Sequence, residues 1–358
     1  MFTPEMVKIK IHLKLEKLAQ PVCLLSALSQ WKPSEAFEFA WTPSGYVLEF
    51  EMLQGQILEC RISKGELEEV GPEGLKRYPR AIAAQQDQEL NWEVLGFLTA
   101  LDPEHTRSGH IEEHTLFSPE LEAEVKLLVY LPPQHFTEPD RVFPVVYLHD
   151  GHNVFDRATS SFGFEWQADE TAEHFARAGH PVVLVGIWTP AEKRNQYYVP
   201  FHSRLHNGQE QGTAYVRFIA TTLKTHIQQH FPVSKETAQT AICGSSLGGL
   251  ISMYATLHHP EAFGVACLMS PALWVGEYLA FEEVQKLPPA VRYFIDMGDL
   301  ETDTLEGAAL LVRQAKQLAL LVSQQGCDVE LLIGQGHLHH ESAWAERFPA
   351  FLKFFLQV

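Results

Sequence analysis

Thr240-Ala241-Ile242-Cys243-Gly244-Ser245-Ser246-Leu247-Gly248-Gly249 joins an apolar run to a helix-forming stretch, residues 250–257, through a Gly-x-Ser-x-Gly-Gly turn. A chain that passes from a strand into a helix this abruptly strains the backbone at the apex. The neighbours of the apex must then pack without side chains, which is the physical use of Gly244 and Gly248. Ser246 falls on the apex and Ser245 on the strand before it. A glycine-rich strand-to-helix connection is common by itself, so the reading depends on what lies around it.

Around it, apolar runs at 142–149, 181–188, 238–243, 263–269, 291–297 and 329–333 are too continuous for half-exposed strands and suit strands covered on both faces. An alternating strand at 122–131 precedes them. Helical patterns fall between the runs, at 166–178, 213–230, 247–258, 305–325 and 341–356. Strands that alternate with helices predict a mostly parallel sheet flanked by helices. In that setting the Ser246 turn reads as the nucleophile elbow of an α/β-hydrolase fold.

The beginning of the chain has another texture. Val7, Ile9, Ile11, Leu13 and Leu15 alternate with Lys8, Lys10, His12, Lys14 and Glu16, the pattern of a half-buried strand. Short strand-like runs follow at 22–25, 37–41, 46–51 and 56–62, separated by turns containing Pro or Gly. Closely spaced strands with no helical period predict a small all-β sandwich over residues 1–95. A polar linker is expected over 96–114 and the catalytic domain over 115–358. No internal repeat or low-complexity tract is visible.

A serine hydroxyl is a weak nucleophile, so the elbow needs a histidine to take its proton and a carboxylate to hold that histidine's tautomer. In this fold the chain order is serine, acid, histidine. The acid belongs after a late strand, where residues 291–298 lead into Asp299-Leu300-Glu301-Thr302-Asp303. Glu301 is preferred, and Asp299 and Asp303 compete, since acids here also cap the next helix. The base belongs after the last strand, in His337-Leu338-His339-His340. Spacing does not choose between His337 and His339. The same histidines also suggest a zinc site, but no matching acidic or thiol ligand set accompanies them, so no metal is expected. The oxyanion hole needs backbone N–H groups. Leu247 N–H at the head of the elbow helix is one, and His152 N–H in the His149-Asp150-Gly151-His152-Asn153 turn is the second, with Asn153 in reserve.

Composition narrows the function classes. Among 358 residues the formal net charge is −18, which argues against nucleic acid and anionic membrane as partners, because both require clustered Lys and Arg. No apolar run approaches the roughly 20 residues of a membrane span. No secretory signal is visible at the start, so a cytoplasmic location is expected. Cys23, Cys60, Cys243, Cys267 and Cys327 show no short paired spacing and read as small core residues in a reducing compartment.

Residues 147–156, 242–250, 259–264, 270–274 (Ser-Pro-Ala-Leu-Trp) and 339–344 (His-His-Glu-Ser-Ala-Trp) together resemble the putative-esterase family, which includes esterase D, feruloyl esterases and enterochelin esterase. The resemblance spans residues 115–358. It implies a serine esterase acting through an acyl-enzyme, with His339 as base, Glu301 as acid and no cofactor, although many members have Asp at the acid position. The substrate implied is a small-molecule or glycan-linked ester, and a homodimer is left open. More faintly, residues 30–33 and 62–70 resemble a starch- or glycogen-binding β-sandwich. Leu67 stands where many such modules carry a stacking Trp, so weak or absent glucan binding is expected. Trp31 and Trp41 are expected in the core, with a sugar platform as the alternative. Two other classes compete with the esterase: a catalytically silent glycan-binding or scaffolding protein, and an acyl transferase.

Overall fold

The computed structural model describes residues 5–71, 76–99, 105–201, 210–276 and 279–358. The chain divides into two compact units. The first comprises Met1–Pro103 together with Gly298–Leu311 and Gln335–His339, and the second comprises Glu104–Met297, Val312–Gly334 and His340–Val358.

The first unit contains two four-stranded sheets. One has the order β3 (Ala40–Thr42), β4 (Gly45–Leu53), β1 (Met6–Lys14), β8 (Gln88–Glu93); the other joins β2 (Val22–Ser26), β5 (Ile57–Lys64) and β6 (Leu67–Glu68), with β7 (Arg80–Ala83) also on β5. β1 realises the alternation of its sequence: Val7, Ile9, Ile11 and Leu13 are buried and pack with Leu24, Leu48, Cys60 and Ile62. Ile11→Ala would open a cavity here at a cost of about 2–5 kcal/mol. The run at 37–41 is not one strand. Glu35–Phe37 forms a 3₁₀ turn, Glu38 bridges Cys23 on β2, and Ala40–Thr42 pairs with β4, because Ser34 starts a helical turn before the strand begins. Trp31 and Trp41 are exposed rather than buried. The Arg61 guanidinium lies 5.1 Å over the Trp31 ring, and Trp41 meets Tyr46 edge-on at 5.0 Å.

The second unit is built on an eight-stranded sheet. Its order is β16 (Val329–Gly334), β15 (Arg292–Gly298), β14 (Val265–Met269), β13 (Thr240–Ser245), β11 (Val145–Leu148), β12 (Val183–Ile187), β10 (Ala123–Leu131), β9 (His110–Ser118). The strands from β12 to β15 pair in parallel, whereas β10 pairs antiparallel with both β12 and β9. Successive side chains explain the unbroken apolar runs. Val145, Tyr147 and Ile242 belong to one core layer, while Val146, Leu148, Ala241 and Cys243 belong to the layer on the opposite face.

Helices α1 (Gln134–Thr137), α2 (Ala168–Arg177), α3 (Ala191–Tyr198), α4 (Gly212–Phe218), α5 (Lys224–His230), α6 (Leu247–His258), α7 (Leu279–Glu283) and α9 (Glu341–Leu356) belong to this unit, as does α8 (Leu305–Gln324) from Val312 onward, its start to Leu311 belonging to the first. A π-turn over Ile219–Leu223 links α4 to α5, so the helix expected at 213–230 is one nearly continuous body. The expected linker differs from the structure, since β9 begins at His110 and pairs with β10 along its length. Residues 100–104 of that linker lie outside the described residues. All five cysteines are free and buried. No helix among the described residues is long and apolar enough to cross a membrane.

Candidate active site

Ser246 has φ 58° and ψ −118°, a conformation a non-glycine residue holds at a cost of about 1–3 kcal/mol unless its surroundings enforce it. They do: Ser246 N–H donates to Met269 O at 2.9 Å, and Ser246 O accepts from Ala272 N at 3.0 Å and Leu250 N at 3.2 Å. The Ser246 side chain makes no capping bond to α6, so its hydroxyl is not spent on the helix. A Cβ on Gly244 would lie 2.7 Å from Gly248 C and 2.7 Å from His149 Cδ2, which is the close approach the glycine pair was expected to serve. Ser245 is buried within β13.

β11 runs beside β13, so the turn after it reaches the elbow, and His149 N–H donates to Cys243 O at 3.0 Å. Asp150 is left-handed at φ 54°, and Gly151–Asn153 forms a single 3₁₀ turn. Gly151 is required by space, because a Cβ there would lie 2.7 Å from the Gly186 backbone carbon. Asn153 N–H, the reserve oxyanion candidate, donates to Asp150 O at 2.8 Å. Among the described residues, no intramolecular bond takes up Leu247 N–H or His152 N–H. The Asn153 side chain instead braces the turn: Oδ1 accepts from Ser161 N at 2.9 Å, and Nδ2 donates to Glu341 Oε1 at 3.3 Å.

A polar network that the sequence did not announce holds this turn. Arg194 grips Asp150 with Nε and one terminal nitrogen, each 2.9 Å from a different carboxylate oxygen, and reaches Ser245 O at 3.5 Å. Tyr198 Oη lies 3.1 Å from Asp150 Oδ1 and accepts from Asp150 N at 2.9 Å. Burial alone would raise the Asp150 carboxyl, but the Arg194 guanidinium outweighs it, and the group sits below its ordinary value. His149 is buried beside it, 2.9 Å from Tyr215 Oη, and burial pushes its pKa down to about 3, so the ring is neutral. Burial also lowers His152.

The acid and base candidates lie in the first unit. His339 Nδ1 is 2.8 Å from Glu301 Oε2, and Glu301 Oε1 accepts from Gly298 N at 2.6 Å. Asp299 is spent differently: its Oδ1 accepts from Gly336 N at 2.6 Å and ties the acid loop to the histidine loop. Leu300 N–H donates to His337 O at 3.1 Å for the same end. Asp303 is exposed. His340 is buried against Phe164 and caps α9, its Nδ1 accepting from Ser342 N at 3.2 Å.

Behind the elbow strand, Trp344 Nε1 and an Arg347 terminal nitrogen donate to Ser270 Oγ at 3.0 and 2.8 Å, and Arg347 pairs with buried Asp296 at 3.2 Å. α9 thereby fixes the segment whose Met269 and Ala272 hold Ser246. One acidic trio, Glu165, Asp169 and Glu170, brings carboxylate oxygens within 4.8 Å of one another at the start of α2.

A mostly parallel sheet with a strained serine between β13 and α6, and a tight glycine turn on the adjacent strand, defines an α/β-hydrolase. Residues 118–355 match the family described as putative esterases, and the chain belongs to that family of ester-bond hydrolases. It is 26% identical over 233 residues to the uncharacterized protein YbbA of Bacillus subtilis, covering 62% of this chain and 89% of that one. It is 24% identical over 227 residues to the ferri-bacillibactin esterase BesA of Bacillus subtilis, covering 56% and 75%. The crystal structure of the enterobactin esterase from Shigella flexneri in the presence of enterobactin superposes with TM-score 0.60 at 13% identity, covering 94% of this chain and 88% of that one.

Proposed function

We propose that this protein is a serine esterase of small-molecule esters, using Ser246 as nucleophile, His339 as base and Glu301 as the orienting carboxylate. The observation that carries the reading is the backbone of Ser246, which spends strain to present a hydroxyl that α6 does not use. The 2.8 Å bond from His339 Nδ1 to Glu301 supports the pairing, because it assigns the Nδ1 proton to the carboxylate side and leaves Nε2 as the basic nitrogen.

In this reading Ser246 Oγ attacks the ester carbonyl carbon as its proton passes to His339 Nε2. Leu247 and His152 N–H groups bind the oxyanion. The tetrahedral intermediate collapses, the alcohol leaves with the proton from His339, and water then repeats the sequence on the acyl-enzyme to release the acid. Siderophore esters head the candidate substrates, on the names of relatives such as the ferri-bacillibactin esterase and the siderophore triacetylfusarinine C esterase of Aspergillus fumigatus. Feruloyl, acetyl-carbohydrate and short-chain esters follow.

The test is a panel of aryl, feruloyl and catecholate esters run with wild type, Ser246→Ala and Ser245→Ala. Turnover in Ser246→Ala is expected to fall by several orders of magnitude with folding retained, and Ser245→Ala to be mild. Full activity in Ser246→Ala, or no hydrolysis of any ester by wild type, would remove the proposal.

A further inference from the structure

Glu301 is followed closely by a segment, Asp303-Thr304-Leu305, whose outer backbone groups bond to another part of the first unit. Asp303 O and Leu305 N, on either side of Thr304, point their backbone bonds at the turn that carries the chain from β4 to β5. Ile57 N–H donates to Asp303 O at 2.8 Å, Leu305 N–H donates to Gly55 O at 2.7 Å, and Gln56 faces Thr304 as an antiparallel bridge. These residues all belong to the first unit. The partner choice has a physical reason. Leu305 is the first residue of α8, so its N–H has no acceptor within the helix. Thr304 caps the same helix, its Oγ1 accepting from Gly307 N at 3.1 Å.

The β4–β5 turn is held from its other side as well. Gly55 N–H donates to Ala84 O at 2.7 Å, and Ala84 N–H donates to Gln56 O at 2.8 Å. Gly55 has φ +86° with nothing within 4 Å of a Cβ built there, so glycine is needed for its conformation and not for space. The result is a three-residue ladder in which Gly55, Gln56 and Ile57 lie between Ala84 and the acid loop. From the other direction the loop is fixed by Gly298 N–H on Glu301 and by Leu300 N–H on His337 O.

We propose that the β4–β5 turn Gly55-Gln56-Ile57 is a positioning element for the hydrolytic reaction: by pairing with Asp303-Thr304-Leu305 it sets the loop that aims Glu301 at His339. This rests on Glu301 being the orienting carboxylate. The N-terminal β unit would then serve catalysis directly through backbone pairing, whatever else its surface binds.

Leu305→Pro isolates the contact. Proline is well accepted at the first position of a helix and removes the N–H that reaches Gly55 O. Leu305→Ala keeps that N–H and reports on the side chain alone. We expect Leu305→Pro to lower kcat by roughly tenfold to a hundredfold with KM within about twofold, as for a small misplacement of a reacting group. Leu305→Ala should stay within about threefold of wild type on the same scale. In a Glu301→Gln background, Leu305→Pro should cost nothing further, because both changes act through one carboxylate. Equal turnover in Leu305→Pro and Leu305→Ala, or losses that multiply in the double variant, would overturn the positioning role while leaving Glu301 in place. Wild-type turnover in Glu301→Gln would instead remove the acid assignment and the positioning role with it. Should Leu305→Pro fail to fold, amide exchange on wild type decides: the Ile57 and Leu305 amides must be protected together, and exchange of Leu305 at the rate of an open helix end would overturn the pairing.

Discussion

Glu301 holds His339 with one carboxylate oxygen and Gly298 with the other, at 2.8 Å to Nδ1 and 2.6 Å from the backbone nitrogen. The Gly298 amide closes β15, so the Glu301 carboxylate is fixed by its own loop before it meets the ring. Glu301→Gln keeps the shape but offers a neutral amide that can favour the wrong tautomer. We expect kcat to fall by about 10²–10⁴-fold, less than for Ser246→Ala. Asp303→Asn should leave kcat unchanged, and steady-state kinetics on one aryl ester separates the two.

Gly151→Ala tests the proposed oxyanion turn without touching a polar group. The added methyl would stand 2.7 Å from the carbon and 2.9 Å from the oxygen of Gly186, both backbone atoms on β12, so the turn must move instead. A displaced His152 N–H should lower kcat by about 10²-fold with a smaller change in KM. An unchanged kcat would show that the second donor lies elsewhere.

Arg194→Ala should be costly for stability, about 3–5 kcal/mol in chemical denaturation, because it strands a buried carboxylate at Asp150. The Asp150 group lies below its ordinary value in the fold, so its contribution is present above the unfolded carboxylate range and is lost as pH falls through the folded value. Arg194→Ala should therefore lose most against wild type at neutral pH and converge with it in acid. Adding Asp150→Asn should recover part of the loss.

The acidic trio predicts the opposite slope. Burial, followed by the neighbouring carboxylates, pushes Glu165 up to about 8 and Asp169 up to about 10, with Thr106 and Ser108 as the hydrogen-bond donors facing them. The folded state then holds protons that the unfolded chain has released. Stability is full below the ordinary carboxylate range and declines as pH rises toward 8–10. Melting curves from pH 5 to 9 should show this decline, and Glu165→Gln should flatten it.

The elbow was legible because its requirements are local: a strained turn needs Gly244 and Gly248 within a few residues of Ser246, and β13 and α6 are contiguous with it. The proposed acid is legible only in part. Asp299, Glu301 and Asp303 share one loop, and their different fates depend on Gly336, His339 and solvent, which are set by tertiary contacts. Arg194, Tyr198 and Tyr215 sit on helices with nothing in their spacing to mark them, since a buried ion pair is defined by its partner. The same holds for the β4–β5 turn at 55–57, whose pairing with 303–305 uses backbone atoms that any sequence supplies. Trp31 and Trp41 misled in the other direction, because large aromatics are usually buried.

The five buried free cysteines give the chain its own clocks. A thiol reagent can reach Cys23 and Cys60 only when the first unit opens, and Cys243, Cys267 and Cys327 only when the second does. In dilute denaturant, the labelling rate at each sulfur, resolved by peptide mass, measures the opening frequency of its own neighbourhood. Equal rates in both groups would mark one cooperative molecule, and early labelling of Cys23 and Cys60 would mark a β unit that opens first.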